Sequence, residues 1–117
     1  MLSGGLVGSA ARAGVALLLP TPSASFPAST TLVNVVGAFL LGFYLARRQQ
    51  ALGSPWSVRF WAIGVLGSFT TFSAFSIEVV ELIGSHKVAM ALSYVAVSVL
   101  GGIGSALVGD RLGRVLR

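Results

Sequence analysis

Four long apolar runs constrain the fold of this 117-residue chain more than any other feature of its sequence. They lie at about residues 2–19, 28–46, 60–83 and 88–108. An α-helix needs roughly 20 apolar residues to cross a hydrocarbon core. Only 9% of the residues are charged, far below the level of average soluble proteins. The sequence therefore predicts an all-α membrane protein, a single domain of four transmembrane helices over residues 1–117.

The boundaries of these runs carry residues that end helices. Pro20 and Pro22 close the first run, because proline cannot continue a helix. The stretch Gly53 to Pro55 predicts a turn before the third run. No basic residue precedes the first run and Arg12 interrupts it, so we expect a retained helix rather than a signal peptide.

Basic residues are few and their distribution is uneven. Although the net charge is +5, they form no stripe interleaved with exposed aromatics, so nucleic acid is not an expected partner. With four crossings, one side of the membrane collects Arg47, Arg48, Arg59, Arg111 and the tail residues Arg114 and Arg117. The other side has Lys87 beside His86. The positive-inside rule predicts that both termini are cytoplasmic.

The third run changes character midway, between Gly67 and Phe75. This stretch combines small hydroxylated residues with three phenylalanines, which a lipid-facing helix does not need. Non-helical backbone at membrane depth is tolerated where it is buried in protein or lines an aqueous space. Its free carbonyls can then bind a cation. We therefore expect a break in the third helix and an ion pathway beside it.

On a continuous helix, the spacing of Ser68, Thr71, Phe72 and Phe75 would place them on one face. Ring edges carry the positive part of the aromatic quadrupole, and hydroxyls donate hydrogen bonds. Such a face could replace water around a small anion. The alternative is that the hydroxyls bond back to backbone carbonyls while the rings pack between helices.

Polar residues on the second and fourth helices are further candidates. Asn34 shares a face with Gly37, and its amide could hold an anion or bond to another helix. The fourth helix carries a small and polar stripe of Tyr94, Ser98, Gly101 and Ser105. Small residues also allow close helix packing, so this stripe is compatible with a pathway or with packing alone.

Charged residues within or near the helices remain ambiguous. Arg12 could extend to the interface or lie in a subunit contact. Glu78 and Glu81 could sit at a pore mouth or be solvated, with solvation expected for Glu81. His86 lies in a loop without cysteine or a carboxylate pair nearby, so we expect no enzymatic activity.

Taken together, these motifs resemble the CrcB/Fluc family of small bacterial fluoride channels. Gly67 followed by Thr70–Phe75 resembles the family's third-helix signature. Asn34 with Gly37 resembles its second-helix motif, and Gly4–Arg12 resembles its opening motif. The resemblance covers nearly the whole chain in order. It implies passive, fluoride-selective efflux through a multi-pass protein of the bacterial inner membrane.

The resemblance also implies an assembly and roles for residues. The subunits would form an antiparallel, dual-topology dimer with two fluoride pathways and a structural sodium ion at the central break. Phe72 and Phe75 would offer ring edges to fluoride, and Asn34 a donor. Gly67 and Thr70 would give carbonyls to sodium. The remaining family positions are the polar pathway residues Thr71, Ser73, Tyr94 and Ser98, the entrance residue Glu78, and Arg12 at the subunit interface.

Four positions depart from the family pattern: Ser68 and Thr30 replace glycine, Ala74 a hydroxylated residue, and Ala13 an aromatic. The arginine asymmetry is awkward for a chain that must insert both ways, so the dimer partner is either a second copy or an oppositely oriented paralogue. Two other functions were weighed. A proton-coupled multidrug exporter needs a membrane-embedded carboxylate, which the first helix lacks, and a non-conducting assembly subunit would use its polar stripes for packing only.

Overall fold

In a computed structural model, residues 1–49 and 54–116 are described, and this part of the chain is helical without strands. Gly53 of the predicted turn and Arg117 of the basic tail lie outside the described residues. The elements are α1 (Leu2–Leu18), α2 (Ala28–Gln49), α3 (Pro55–Val58), a π-helix (Arg59–Leu66), α4 (Gly67–Phe69), α5 (Phe72–Gly84) and α6 (Val88–Val115).

Three stretches of the described residues are long and apolar enough to cross a membrane: Ala28–Gln49, Pro55–Gly84 and Val88–Val115. α1 is a shorter apolar helix of 17 residues. Much of the apolar surface of these helices is exposed on the isolated chain. The helical and apolar architecture agrees with the predicted class of membrane protein.

The stretch Pro55–Gly84, here called the third segment, is helical up to Phe69 and again from Phe72. Thr70 and Thr71 between them are extended, with ψ angles of 158° and 119°. The predicted break is therefore present. The segment begins five residues before the predicted residue 60, because proline is favoured in the first helical turn and Ser54 accepts a hydrogen bond from the Trp56 N–H.

The last helix is also longer than the sequence analysis predicted. It continues beyond residue 108 to Val115. Asp110 and Arg114 lie one turn apart there, and the guanidinium Nε lies 2.9 Å from the carboxylate. The apolar run ends before these charged residues, but a helix can continue past the membrane into water when such pairs suit its surface.

Helices α2 and α6 run in the same direction and pack closely. A Cβ added at Gly109 would overlap the carbonyl oxygen of Phe39, and one at Gly113 would lie 2.7 Å from that of Phe43. Likewise, Gly42 packs against the backbone of Ala106. Small residues allow helix backbones to approach each other in this way. We call this contact the α2–α6 seam.

Helix α1 packs in the same manner on the first half of the third segment. A Cβ at Gly4 would lie 2.6 Å from the Phe60 carbonyl oxygen, and one at Gly8 would overlap the Val65 carbonyl. These glycines of the opening motif therefore bring α1 against the π-helix and α4.

Helix α5 leaves about half of its residues exposed on this chain. It contacts α6 through a small core of Leu82, Ala91 and Tyr94, against which Phe75 packs. The ring of Phe72 at its start is 80% exposed on this chain. The second half of the third segment thus presents an uncovered apolar side.

Candidate ion pathway at the helix break

The break is held to α2 by a pair of hydrogen bonds from one side chain. The Asn34 amide donates through Nδ2 to the Thr71 carbonyl oxygen at 3.1 Å. Its Oδ1 accepts from the Thr71 N–H at 2.8 Å. A backbone that leaves a helix loses its regular partners, and a buried unpaired amide is costly. Asn34 therefore supplies both partners that extended Thr71 needs, so the observed contact is the predicted helix-to-helix bond.

Thr71 is also the residue that begins α5. Its hydroxyl oxygen accepts a hydrogen bond from the Ala74 N–H at 3.2 Å, which is an N-cap interaction. The Ser73 hydroxyl lies 3.2 Å from the same oxygen. Two predicted polar positions, Thr71 and Ser73, thus meet at the start of the second half-helix. Ala74, where the family pattern has a hydroxyl, contributes its backbone here.

Carbonyl groups become available on the other side of the break. In a continuous helix the Thr71 N–H would bond the carbonyl of Gly67, but here it bonds Asn34. No hydrogen bond to the Thr70 carbonyl is found among the described residues. Gly67 and Thr70 line one open cleft of about 320 Å³ together with Asn34 and Phe72.

This donor set suits a hard monovalent cation. Oxygen atoms are the ligands preferred by such ions, and half-helix ends offer carbonyls for sodium in membrane proteins. Within residues 1–49 and 54–116, no group of three or more acidic, histidine or cysteine side chains is placed to hold a metal. The carbonyls of Gly67 and Thr70 have the chemistry that the predicted sodium ion requires, and the sodium ion stays a prediction.

Aromatic rings form a row that begins at the break. The ring centroids of Phe72 and Phe75 are 5.8 Å apart, and those of Phe75 and Tyr94 are 5.1 Å apart. Phe26, from the loop before α2, meets Tyr94 edge-on at 5.6 Å. The predicted pair Phe72 and Phe75 is thus joined to the fourth helix through Tyr94, which is fully buried.

The row leads to Glu78, whose two carboxylate oxygens both accept hydrogen bonds. The Thr30 hydroxyl donates to Oε1 at 2.7 Å, and the Tyr94 hydroxyl donates to Oε2 at 2.6 Å. Glu78 therefore joins α5 to α2 and α6. It is half-buried, whereas Glu81 one turn later is exposed, in line with the solvation expected for Glu81.

The stripe on the fourth helix divides into two kinds of residue. The Ser105 hydroxyl donates to the Val35 carbonyl at 2.9 Å, and Gly101 faces the Val35 side chain, so both serve packing against α2. The Ser98 Oγ is buried and has no hydrogen-bond partner in the described part of the chain. Of the stripe, Tyr94 and Ser98 thus remain pathway candidates.

Arg12 lines a second open cleft of about 320 Å³ on the opposite side of the break. Thr30, Thr71 and Glu78 line it too, so Thr71 borders both clefts. Arg12 is half-buried and lies among residues of the site. The subunit contact of Arg12 stays a prediction.

The prediction of one shared helical face was wrong for Ser68. The break separates it from Phe72 and Phe75, and its hydroxyl bonds back to the carbonyl of Gly64 within its own half-helix. Thr70 and Ser76 also bond back, to Leu66 and Phe72. The shared face was predicted for an unbroken helix, so it was incompatible with the predicted break.

Two residues of the site were not predicted as such. Thr30 was noted only as a departure from the family pattern, although it lies four residues before Asn34 and so on the same helical face. Gly37 was noted only as part of a motif, but it is buried against Thr70. The spacing of Thr30 was a usable signal, whereas the contact of Gly37 depends on the path of the broken helix.

Comparison with known proteins places this architecture in a family. The family model described as CrcB-like protein, Camphor Resistance (CrcB), matches residues 1–110. A Deinococcus radiodurans protein named fluoride-specific ion channel FluC is 44% identical, and the match covers 94% of this chain and 89% of the relative. Proteins of the same name from Thermus thermophilus (41% identical; 97% and 91% covered) and Oceanobacillus iheyensis (44%; 77% and 70%) are also similar. These matches confirm the resemblance, and the chain belongs to the CrcB family.

Proposed function

We propose that this multi-pass membrane protein is a fluoride-selective channel through which fluoride leaves the cell passively, so that cytoplasmic fluoride falls. The observation that carries the proposal is the identity of 41–44% to proteins named fluoride-specific ion channel, over most of the chain. An ion-channel family also agrees with a function that involves no catalysis.

The pathway follows the row of rings and hydroxyls. Fluoride is small and strongly hydrated, so a selective pore must replace its water with many weak donors and still release it. Ring edges of Phe72 and Phe75 supply weak positive potential, and the Ser98 hydroxyl, which has no partner in the described part of the chain, supplies a hydrogen bond. The Tyr94 ring borders the path while its hydroxyl donates to Glu78. None of these groups carries a fixed positive charge that would trap the ion.

The Asn34 amide completes the set of donors. In this structure both of its polar groups hold Thr71. Its second Nδ2 hydrogen is a further donor that can face fluoride without releasing the backbone. Glu78, at the end of the aromatic row, lies at an entrance of the pathway, where it orients the hydroxyls of Thr30 and Tyr94.

The carbonyls of Gly67 and Thr70 hold a structural sodium ion. The diverted Thr71 N–H supports this assignment, because it leaves carbonyls at the end of α4 for another partner. When bound, sodium fixes the ends of the broken helix by electrostatic attraction to these oxygens.

The working unit is an antiparallel dimer. Support comes from the exposed Phe72 ring and the open clefts beside the break, which a single chain leaves uncovered. Arg12 contributes to this subunit contact. Surrounding membrane lipid covers the remaining apolar faces. Analytical ultracentrifugation in detergent is expected to give twice the mass of one chain, and a monomer that conducts would contradict the dimer.

Orientation decides between two kinds of dimer. The basic residues at the end of α2 and the end of α6 favour one insertion, with both termini in the cytoplasm of a bacterial cell. This bias makes an oppositely oriented paralogue the alternative to a second copy as the dimer partner. Expression of this chain alone, with fluoride conduction and both orientations detected by cysteine labelling, would refute the paralogue.

Passive fluoride efflux from liposomes tests the proposed function. Purified protein in fluoride-loaded vesicles, with valinomycin to balance charge, should release fluoride to an ion-selective electrode without a pH gradient. A multidrug exporter would instead require a proton gradient and would not release fluoride. Absence of any efflux would favour the non-conducting assembly subunit.

A further inference from the structure

Gly37 and Thr70 are in close contact where α2 meets the helix break. Gly37 is buried and lies three residues after Asn34, so both face the third segment. A Cβ at Gly37 would overlap Cγ2 of Thr70 and lie 3.4 Å from Cδ1 of Phe69. The methyl group of Thr70 thus occupies the space that a side chain at position 37 would need.

The orientation of that methyl group is fixed by the other bonds of Thr70. Its hydroxyl donates to the Leu66 carbonyl at 3.1 Å, and its N–H bonds the same oxygen. With the hydroxyl held toward α4, the methyl is left to face α2. The next residue, Thr71, is held by Asn34. Two consecutive residues of the break are therefore attached to α2, one by packing and one by hydrogen bonds.

We propose that Gly37 is a positioning residue of the ion pathway, which sets the place of the break by receiving the Thr70 methyl group. The inference rests on the proposed function. Gly37 acts through Thr70, which lines the same cleft as Gly67 and whose carbonyl is assigned to sodium in the proposed function. Displacement of Thr70 would move this carbonyl and, through the chain, the start of α5 with Phe72.

This glycine differs from those of the α2–α6 seam in a way that makes it testable. Gly42 and Gly109 meet backbone atoms, which no substitution of the neighbour can remove. Gly37 meets a methyl group that the substitution Thr70→Ser removes while the hydroxyl remains. A lost contact at position 37 can therefore be restored by a change at position 70.

The experiment compares passive fluoride efflux from liposomes for the wild type, Gly37→Ala, Thr70→Ser and the double variant. Gly37→Ala should slow efflux about ten-fold, because overpacking forces the backbone to shift. Alanine favours the helix, so helix propensity cannot explain a loss. Thr70→Ser should slow efflux less than Gly37→Ala. The double variant should conduct faster than Gly37→Ala alone.

Gly104→Ala is the matched control, because a Cβ there meets no atom within 4 Å. It should conduct like the wild type. Absence of fluoride efflux from the wild type would reject the proposed function and, with it, this inference. With a conducting wild type, the inference is overturned if Gly37→Ala conducts normally or if the double variant is no faster. If Gly37→Ala cannot be purified in folded form, the double variant decides. Fluoride efflux equal to that of Thr70→Ser supports the inference, and absence of efflux overturns it.

Discussion

The α2–α6 seam and the second half of the third segment are built in opposite ways. The seam joins backbone to backbone through Gly42 and Gly109, and the chain completes it alone. By contrast, α5 is attached through a small apolar core around Leu82 and the polar contacts of Thr71 and Glu78, and the Phe72 ring at its start is 80% exposed. The seam therefore serves the stability of the single chain, while α5 leaves apolar surface uncovered for the proposed dimer partner.

The difference supports the location proposed for the ion pathway. Polar groups are costly at membrane depth unless they have partners or line a pathway. Around α5 such groups gather, with Asn34 at one end of the row and Glu78 at the other. A region that is incomplete in one chain and rich in donors can be completed by an ion and a second subunit.

The largest effect is expected from the rings. Phe72→Ile and Phe75→Ile each remove an aromatic edge, so fluoride efflux from liposomes should fall to the background of protein-free vesicles. Folding should persist for Phe72→Ile, because that ring is mostly exposed. Size-exclusion chromatography checks the fold. Wild-type efflux from either folded variant would exclude its ring from the pathway.

A smaller effect, on both stability and fluoride efflux, is expected at Asn34, whose amide holds the break. Asn34→Ala leaves the N–H and carbonyl of Thr71 without these partners, which should cost about 1–3 kcal/mol as well as slow efflux. The melting temperature and the efflux rate should both decrease. Thr31→Ala is a control on the same helix, since its hydroxyl bonds only to the preceding Pro27 carbonyl. Normal stability of Asn34→Ala would show that water replaces the amide.

A substitution in the α2–α6 seam should lower stability and leave fluoride efflux unchanged. Gly109→Ala places a methyl group against the Phe39 carbonyl, an overpacking that typically costs about 1–3 kcal/mol. The melting temperature should fall, while efflux per folded protein stays normal. Gly102→Ala on the same helix meets no atom within 4 Å and should leave both unchanged. Slower efflux from folded Gly109→Ala would remove the distinction between the two regions.

The smallest effect is expected at the exposed end of α6. Asp110→Asn removes the ion pair with Arg114, one helical turn away. Exposed pairs of this kind contribute little, so neither melting temperature nor efflux should change measurably. A marked loss of dimer would instead place this pair in the subunit contact.

The sequence predicted the architecture well because membrane helices follow from local composition. The apolar runs located the helices, and the polar stretch after Gly67 located the break. The exact geometry of the break was less accessible, since it depends on Asn34, a residue 37 positions from Thr71 along the chain. Ser68 was misplaced because helical periodicity does not extend across a break.

Pairing between distant helices was similarly hard to foresee. Thr30, Glu78 and Tyr94 are all polar, but their hydrogen bonds depend on how α2, α5 and α6 pack. The close contact of α2 and α6 likewise depends on which residues of α2 face Gly109 and Gly113. Composition alone does not determine these contacts.

The ratio of fluoride to chloride efflux from the same vesicles tests the central claim most directly. A pathway of weak donors at the break should pass fluoride rapidly and leave chloride in the vesicles, as the proposed fluoride selectivity requires. Rapid fluoride efflux with chloride retained is the predicted result. Equal efflux of both anions, or none of either, would contradict the account.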